Sequence, residues 1–260
     1  HQFEIRIKTM TELTADCCAL KASFNSEYTP TGHDVQVIST DDYYAAPPSG
    51  VTSTKAVVWV YDIFGMHANT RQAADLLAKQ LGVHVIAPNF FRDEKCDRAG
   101  GRAALMAFVG KHSYAAHVRD DVRAVLAWLA ADKHVTSVAV FGLCWGGRIA
   151  VNAGQESGED WALVKAVGSA HPSLLTADDG KTLAVPLCLL PSSGEDTAIM
   201  DAIFHDVKAN TNIAEKSVHV RFNDMPHGFV GAGADFNDPA KLKAANDALN
   251  LAADFFKANL

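Results

Sequence analysis

The stretch of sequence that decides the fold is Val138–Arg148, which reads Val-Ala-Val-Phe-Gly-Leu-Cys-Trp-Gly-Gly-Arg. An apolar run of strand length leads into the pattern Gly-x-Cys-x-Gly, and a helix is predicted over residues 147–154. A strand that turns sharply into a helix at a glycine-flanked nucleophile is a nucleophile elbow. The start of a helix also stabilises a thiolate. We therefore interpret Cys144 as a nucleophile; the alternative is a buried cysteine in a glycine-rich turn.

Strand and helix patterns alternate on both sides of this stretch. Strands are predicted at 35–38, 43–45, 56–60, 83–87, 135–141, 163–168, 183–190 and 216–222. Helices are predicted from a cap at Asn69 or Thr70 to Gly82, and at 102–109, 114–131, 147–154, 198–209 and 239–260. This alternation predicts an α/β fold, with a mainly parallel sheet, helices on both faces and a hairpin at one edge. Residues 35–260 are expected to form one domain after an N-terminal extension, 1–34.

The composition excludes several classes of protein. The 260 residues carry 23 Lys and Arg against 30 Asp and Glu, and the formal net charge is −7. Because no basic stripe and no apolar run of about 18 residues occur, neither nucleic acid nor a membrane is an expected partner. The five cysteines are few and odd in number, which favours reduced thiols and a cytoplasmic location. We expect a monomer or homodimer without a metal or cofactor.

The N-terminal segment leaves two interpretations open. Residues 1–9 carry charges and no cleavable apolar segment, so no signal peptide is expected. Either these residues belong to the natural chain, or the natural chain starts at Met10 and they were added for expression.

A nucleophile elbow predicts an acid and then a histidine, each after a later strand. Asp196 follows the strand predicted at 183–190, and His227 follows the strand predicted at 216–222. Glu195 is a rival acid, one residue out of register, and we favour Asp196. The three side chains Cys144, Asp196 and His227 are the expected catalytic set.

An earlier strand end supplies a third feature. Asp62 and Ile63 follow the strand predicted at 56–60, where sheets of this kind provide a second oxyanion donor. We therefore expect the backbone N–H groups of Ile63 and Trp145 to bind an oxyanion. Asp62 is expected to tune the thiol or act as a base, and a capping carboxylate is the alternative.

Several segments carry a family pattern: Asp62–Gly65, Ala87–Phe91, Gly142–Gly147 and Pro226–Phe229. Together they resemble the dienelactone hydrolases (carboxymethylenebutenolidases), single-domain α/β-hydrolases that use Cys, Asp and His. Ser169–Ser173 resembles the eukaryotic branch of that family. The resemblance implies that Cys144 attacks an ester or lactone carbonyl to give a thioester acyl-enzyme. It also implies that His227 moves the proton and that Asp196 orients His227.

The chain departs from the bacterial members of that family at two positions. Asp62 stands where they carry a Glu beside the thiol, and Gly231 stands where they carry an Arg that binds the substrate carboxylate. Arg92 lies near another family Arg, and we assign Arg92 and His171 to the substrate pocket; a core or capping histidine is the alternative for His171. Without the arginine at 231, dienelactone itself is a less expected substrate.

The expected function is cysteine-dependent hydrolysis of small esters or lactones. A thioesterase or a glycan-related hydrolase on the same fold is one alternative. A ligand-binding protein without enzymatic activity is the other, because a fold does not fix a function.

Overall fold

Eight strands and six α-helices are present in the computed structural model, which describes residues 24–97 and 99–260. The strands are β1 (His33–Val35), β2 (Asp42–Ala45), β3 (Lys55–Val60), β4 (His84–Ala87), β5 (Ser137–Leu143), β6 (Val164–Ala170), β7 (Leu187–Leu190) and β8 (Val218–His219). The helices are α1 (Ala68–Leu81), α2 (Gly101–Lys111), α3 (Arg119–Lys133), α4 (Trp145–Gln155), α5 (Thr197–Ala209) and α6 (Pro239–Asn259).

All eight strands belong to one sheet, in the order β1-β2-β4-β3-β5-β6-β7-β8. β1 pairs antiparallel with β2, and β2 pairs antiparallel with β4. Every other pair is parallel, from β4 and β3 through to β7 and β8. The prediction of a mainly parallel sheet with a hairpin at one edge is confirmed.

Helices cover both faces of this sheet, as the apolar strands predict. On one face α1 and α6 pack against a core in which Trp59 stacks on Phe141, with ring centroids 5.1 Å apart, and Phe141 meets Phe256 of α6. On the other face α3, α4 and α5 pack against the alternate side chains of the same strands. Fully burying one such large apolar side chain contributes about 1.5–3 kcal/mol, so both layers stabilise the sheet.

Several element boundaries differ from the sequence-based prediction. β1 begins at His33, and β8 spans only Val218–His219, although Phe222 still pairs with Ser192 as an isolated bridge. β7 begins at Leu187 because Pro186 precedes it and has no N–H for the sheet. His67, rather than Asn69 or Thr70, caps α1 by accepting from the Asn69 N–H.

Residues 24–34 pack against the domain. The Phe24 ring stacks on Phe236 at 4.6 Å, and the Tyr28 hydroxyl donates to the buried carboxylate of Asp75. Residues 1–23, with Cys17 and Cys18, lie outside the described residues, and the domain boundary at residue 35 stays a prediction. In the described part of the chain, no helix combines the length and apolar character needed to cross a membrane.

Candidate active site

The residues singled out in the sequence meet at one edge of the sheet. Asp62 follows β3, Cys144 follows β5, His171 follows β6, Glu195 and Asp196 follow β7, and His227 lies in the loop after β8. Since these strands are parallel, their carboxyl ends share one edge, which is where open α/β sheets bind ligands.

Cys144 occupies a strained turn between β5 and α4. Its backbone has φ 53° and ψ −112°, a conformation that residues other than glycine rarely adopt. A Cβ at Gly142 would lie 1.8 Å from the Gly146 carbonyl oxygen, and a Cβ at Gly146 would lie 2.5 Å from the Val60 carbonyl oxygen. Only glycine fits at these two positions, so the elbow motif forms the sharp turn that its sequence predicts.

His227 is hydrogen-bonded to a carboxylate, and the nearby thiol acts on its pKa. Its Nδ1 lies 2.7 Å from Oε1 of Glu195. Hydrogen bonds to the Cys144 thiol and then to Glu195 raise the pKa of His227 from 6.5 to about 10, although partial burial opposes protonation. An imidazole held between sulfur and carboxylate is the arrangement of a base oriented by an acid.

The carboxylate beside His227 is that of Glu195, and the structure does not place Asp196 against this histidine. Asp196 is the N-cap of α5, where its Oδ1 accepts from the Ile199 N–H at 3.2 Å. Asp is among the preferred N-cap residues, and the cap directs this side chain to the helix terminus. The preceding residue, Glu195, turns back toward the sheet edge and reaches His227.

Glu195 is held by more than the histidine. Its side chain is 5% exposed, and it accepts hydrogen bonds from the N–H and the hydroxyl of Ser192. Burial opposes ionisation, but the hydrogen bonds from His227 and Ser192 outweigh it and lower the pKa of Glu195. Arg221 donates to the Glu195 carbonyl oxygen at 2.9 Å and so fixes the backbone of this loop.

The two predicted oxyanion donors lie on elements that touch. The Trp145 N–H belongs to the first turn of α4, where N–H groups have no partner within the helix. Gly146 packs directly on the carbonyl oxygens of Val60 and Tyr61, three and two residues before Ile63. Their joint action on one oxyanion stays a prediction.

Asp62 connects two loops instead of meeting the thiol. It is 3% exposed, its Oδ1 accepts from the Phe64 N–H at 3.0 Å, and its Oδ2 accepts from the Ala232 N–H at 2.8 Å. Burial raises the pKa of Asp62, and these two backbone donors counteract part of that rise. No contact between Asp62 and Cys144 is given among the described residues, so the geometry does not support direct tuning of the thiol.

Gly231 fits closely beside this carboxylate. A Cβ at Gly231 would lie 2.2 Å from Oδ2 of Asp62, and the Asp62 side chain is held by its two backbone donors. The position therefore has no room for a side chain, which explains the absence of an arginine there.

Replacing Gly231 by alanine is expected to destabilise the protein by about 1–3 kcal/mol, because either Asp62 or the loop must move. The free energy of unfolding from urea titration measures this change. Gly233→Ala is the matched control in the same loop, since a Cβ there meets no atom within 4 Å. Equal stability of the two variants would contradict the close fit.

Arg92 does not lie free in a substrate pocket. Its guanidinium pairs with Asp121 of α3 through two bonds of 2.7 and 3.0 Å and also donates to the Phe90 carbonyl oxygen. These bonds raise the pKa of Arg92 and join the loop after β4 to α3. The structure therefore gives Arg92 structural partners, and its place in a substrate pocket stays a prediction.

His171 packs against the histidine of the site. It is 0% exposed, and its ring lies edge-on to His227 with centroids 4.9 Å apart. Burial, and then the nearby charge of His227, lower the pKa of His171 to about 3, so the ring is neutral at physiological pH. Neither ring nitrogen has a hydrogen-bond partner among the described residues. His171 thus forms an uncharged wall behind His227.

Ser173 is a contact of the thiol that sequence reasoning missed. Its Oγ lies 3.4 Å from Sγ of Cys144, and its N–H donates to the Cys144 carbonyl oxygen at 2.9 Å. The signal was the segment Ser169–Ser173, which carried the family resemblance without pointing to a role for this hydroxyl. For Glu195, the signal was the start of α5 at Thr197, which makes Asp196 the N-cap of the helix and leaves Glu195 as the acid that can face His227.

The remaining described cysteines differ from Cys144. Cys188 is fully buried, and burial raises the pKa of its thiol, so it is an inert core residue. Cys96 is a partly exposed free thiol in the loop before α2. Within residues 24–97 and 99–260, no group of three or more His, Cys, Asp or Glu side chains is placed to hold a metal ion.

Comparison with known proteins gives consistent results. The model of the dienelactone hydrolase family matches residues 41–260. A mouse carboxymethylenebutenolidase homolog is 37% identical over 137 residues, or 52% of this chain and 54% of that protein. A maize endo-1,3;1,4-beta-D-glucanase is 34% identical over 147 residues, or 56% of this chain and 45% of that protein. The chain thus matches about half the length of each of these two relatives.

A solved structure shares the fold. The crystal structure of a protein described as a dienelactone hydrolase from Klebsiella pneumoniae superimposes with a TM-score of 0.67 at 20% identity. The superposition covers 88% of this chain and 98% of that chain, so the sheet and helices described above form an α/β-hydrolase fold. Since the family model spans most of the sequence, from β2 through α6, this chain belongs to the dienelactone hydrolase family.

Proposed function

We propose that this protein hydrolyses small esters or lactones, with Cys144 as nucleophile, His227 as proton carrier and Glu195 as the residue that orients His227. The observation that carries the proposal is the 2.7 Å hydrogen bond between Nδ1 of His227 and Oε1 of Glu195, with Cys144 close enough to help raise the pKa of the same imidazole. Its occurrence at a nucleophile elbow, at the carboxyl edge of the sheet, supports acyl transfer. Glu195 takes the role that the sequence assigned to Asp196.

In the first half of the reaction the Cys144 thiolate attacks the acyl carbonyl carbon, and the carbonyl electron pair moves onto oxygen. The oxyanion faces the N–H groups of Ile63 and Trp145. As the bond to the leaving oxygen breaks, His227 gives that oxygen its Nε2 proton, because its Nδ1 faces Glu195. The product of this half is a thioester on Cys144 and a free alcohol.

In the second half His227 takes a proton from water as the water oxygen attacks the thioester carbonyl carbon. The carbon–sulfur bond breaks, the thiolate re-forms, and the acid leaves. His227 ends with the proton that it held at the start, so the cycle closes without any other reagent. Negative charge on Glu195 favours the protonated imidazole in both halves.

The substrate that the site fits best is small and uncharged near the reacting carbonyl. Gly231 leaves no room for a cationic side chain, and the Arg92 guanidinium is bound to Asp121. Asp62 adds a buried carboxylate close to Gly231. A substrate carboxylate would therefore have no charged partner there, which argues against anionic lactones.

A glycan hydrolase is the less favoured alternative. Such enzymes need two carboxyl groups facing the scissile bond. Asp62 is buried with both oxygens bonded to backbone N–H groups, and Glu195 is buried against His227 and Ser192. Neither carboxylate is available as a general acid toward a sugar.

An experiment on product partitioning tests the acyl-enzyme. p-Nitrophenyl acetate and phenyl acetate share an acyl group and differ in leaving group, so both would form the same acetyl thioester. That thioester must react with water and with added hydroxylamine in the same proportion, whichever ester it came from. We expect the same ratio of acetohydroxamate to acetate from both esters, and acetyl mass on the Cys144 peptide after acid quench. Cys96→Ala is the control and should give the same ratio and label. Ratios that depend on the leaving group would contradict the proposal.

A further inference from the structure

The loop that follows β6 is fixed against the nucleophile at both ends. The Cys144 N–H donates to the Ala170 carbonyl oxygen at 3.3 Å, and the Ser173 N–H donates to the Cys144 carbonyl oxygen at 2.9 Å. Arg148, one turn into α4, donates to the Leu174 carbonyl oxygen and forms a bidentate pair with Asp179 at 2.6 and 2.7 Å. Ser173 is therefore held by α4 and the elbow, in contrast to a serine on a free surface loop.

The same loop carries backbone strain on both sides of Ser173. His171 has φ 39° and Leu174 has φ 65°, both in the left-handed region that favours glycine. Strain of this kind collects at functional sites. Here the strained residues flank Pro172 and Ser173, and the result is a hydroxyl facing the thiol.

The Ser173 hydroxyl contributes a neutral donor to the thiol environment. Its Oγ lies 3.4 Å from Sγ, within hydrogen-bond reach of sulfur, and the thiol is the partner that the structure gives it. A hydroxyl has one hydrogen and donates it most strongly to an anion. A thiolate at Cys144 can therefore accept from His227 and from Ser173 together.

The titratable groups around the thiol come from four elements. His227 after β8 lies close enough to the thiol for the thiol to raise the pKa of the imidazole, and Glu195 after β7 is bonded to His227. His171 after β6 is buried and neutral, and Asp62 after β3 is bonded to backbone N–H groups. His227 is thus the charged group in contact with the thiol, and Ser173 is the uncharged one.

We infer that Ser173 is a further catalytic residue, whose hydroxyl donates a hydrogen bond to the Cys144 thiolate and so increases the fraction of enzyme that carries the nucleophile in its reactive form. When the thioester forms, sulfur loses its charge and this hydrogen bond weakens. When water releases the acyl group, the bond re-forms with the regenerated thiolate. Ser173 transfers no proton, so the reaction stays balanced as described above. The inference rests on the proposed nucleophilic role of Cys144.

The test compares the pH profiles of iodoacetamide alkylation at Cys144 in the wild type, Ser173→Ala and Ser173→Thr, with peptide mapping to assign the modified thiol. Loss of one hydrogen bond to an anion is expected to slow alkylation of Ser173→Ala about tenfold at neutral pH. At high pH, where the thiolate forms without help, the rate should return to the wild-type plateau. Ser173→Thr keeps the hydroxyl and should restore most of the neutral-pH rate.

The outcomes separate this inference from the proposed function. The inference is wrong if Ser173→Ala has the wild-type pH profile. It is also wrong if alkylation of Ser173→Ala and of Ser173→Thr is slowed by the same factor at every pH, because the hydroxyl then has no role at the thiolate. If wild-type Cys144 reacts no faster than Cys96 while Cys144→Ala still hydrolyses esters, the proposed function fails first. Thermal unfolding of each variant checks that the fold is intact.

Discussion

Hydrolysis of p-nitrophenyl acetate is expected to fall by about 10⁴-fold or more, to near the uncatalysed rate, when Cys144 is replaced by alanine. The physical reason is that the variant has no atom to form the acyl intermediate, while the oxyanion donors alone stabilise the transition state only weakly. The measurement is kcat/KM by release of p-nitrophenol, with the spontaneous rate subtracted.

The control for this substitution is Cys188→Ala, which removes a buried thiol that lies in the core beside Gly168. It should cost stability through the small cavity, with kcat/KM of the folded protein close to wild type. Cys144→Ala should retain wild-type thermal unfolding within a few degrees, since only one sulfur atom is lost. Substantial hydrolysis by Cys144→Ala would contradict the proposed mechanism outright.

The second large effect is expected at Glu195 and not at its neighbour. Glu195→Gln keeps the size of the side chain but removes the charge that favours protonated His227, so kcat/KM should fall by about 10²–10⁴-fold. Asp196→Asn removes a charge one residue away and keeps a good N-cap, so its kcat/KM should stay within a factor of about two of wild type. The pair isolates the residue that contacts Nδ1 of His227.

The Glu195→Gln substitution is also expected to change how the stability of the protein depends on pH. Because the pKa of Glu195 in the folded protein lies below its ordinary value of 4.5, its ionised form stabilises the fold above that pH. This contribution is lost as pH falls through the lower, folded-state pKa. The difference in Tm between wild type and Glu195→Gln should therefore be largest between about pH 5 and 6 and shrink in more acidic buffer. It should also shrink above about pH 6.5, because Glu195 helps to raise the pKa of His227 and that contribution is lost as His227 deprotonates. A loss of activity in Asp196→Asn equal to that in Glu195→Gln would overturn the assignment.

The sequence predicted those parts of the site that depend on long patterns. Cys144 was found because two glycines, a buried strand and a helix surround it, and the structure gives a contact for each glycine. His227 was found because an elbow requires a histidine after a late strand. Both signals follow from the order of elements along the sheet, which the apolar runs define well.

The details that the sequence did not predict depend on single-residue register and on long-range partners. The choice between Glu195 and Asp196 is decided by where α5 begins, and element boundaries are the least certain part of a pattern. The partner of Arg92 lies in α3, 29 residues further along the chain, so no local motif indicates it. The hydroxyl of Ser173 meets sulfur only because the loop after β6 is strained in two places.

The backbone bonds of Cys144 have a consequence for how activity is lost on heating. Its N–H and C=O groups bond to Ala170 at the end of β6, to Ser173 and to Gly147 in the first turn of α4, and Ala170 and Gly147 are buried. A residue anchored in this way cannot leave its left-handed conformation while the central strands remain paired. The nucleophile therefore belongs to the same cooperative unit as the sheet, and its reactive geometry persists until that unit melts.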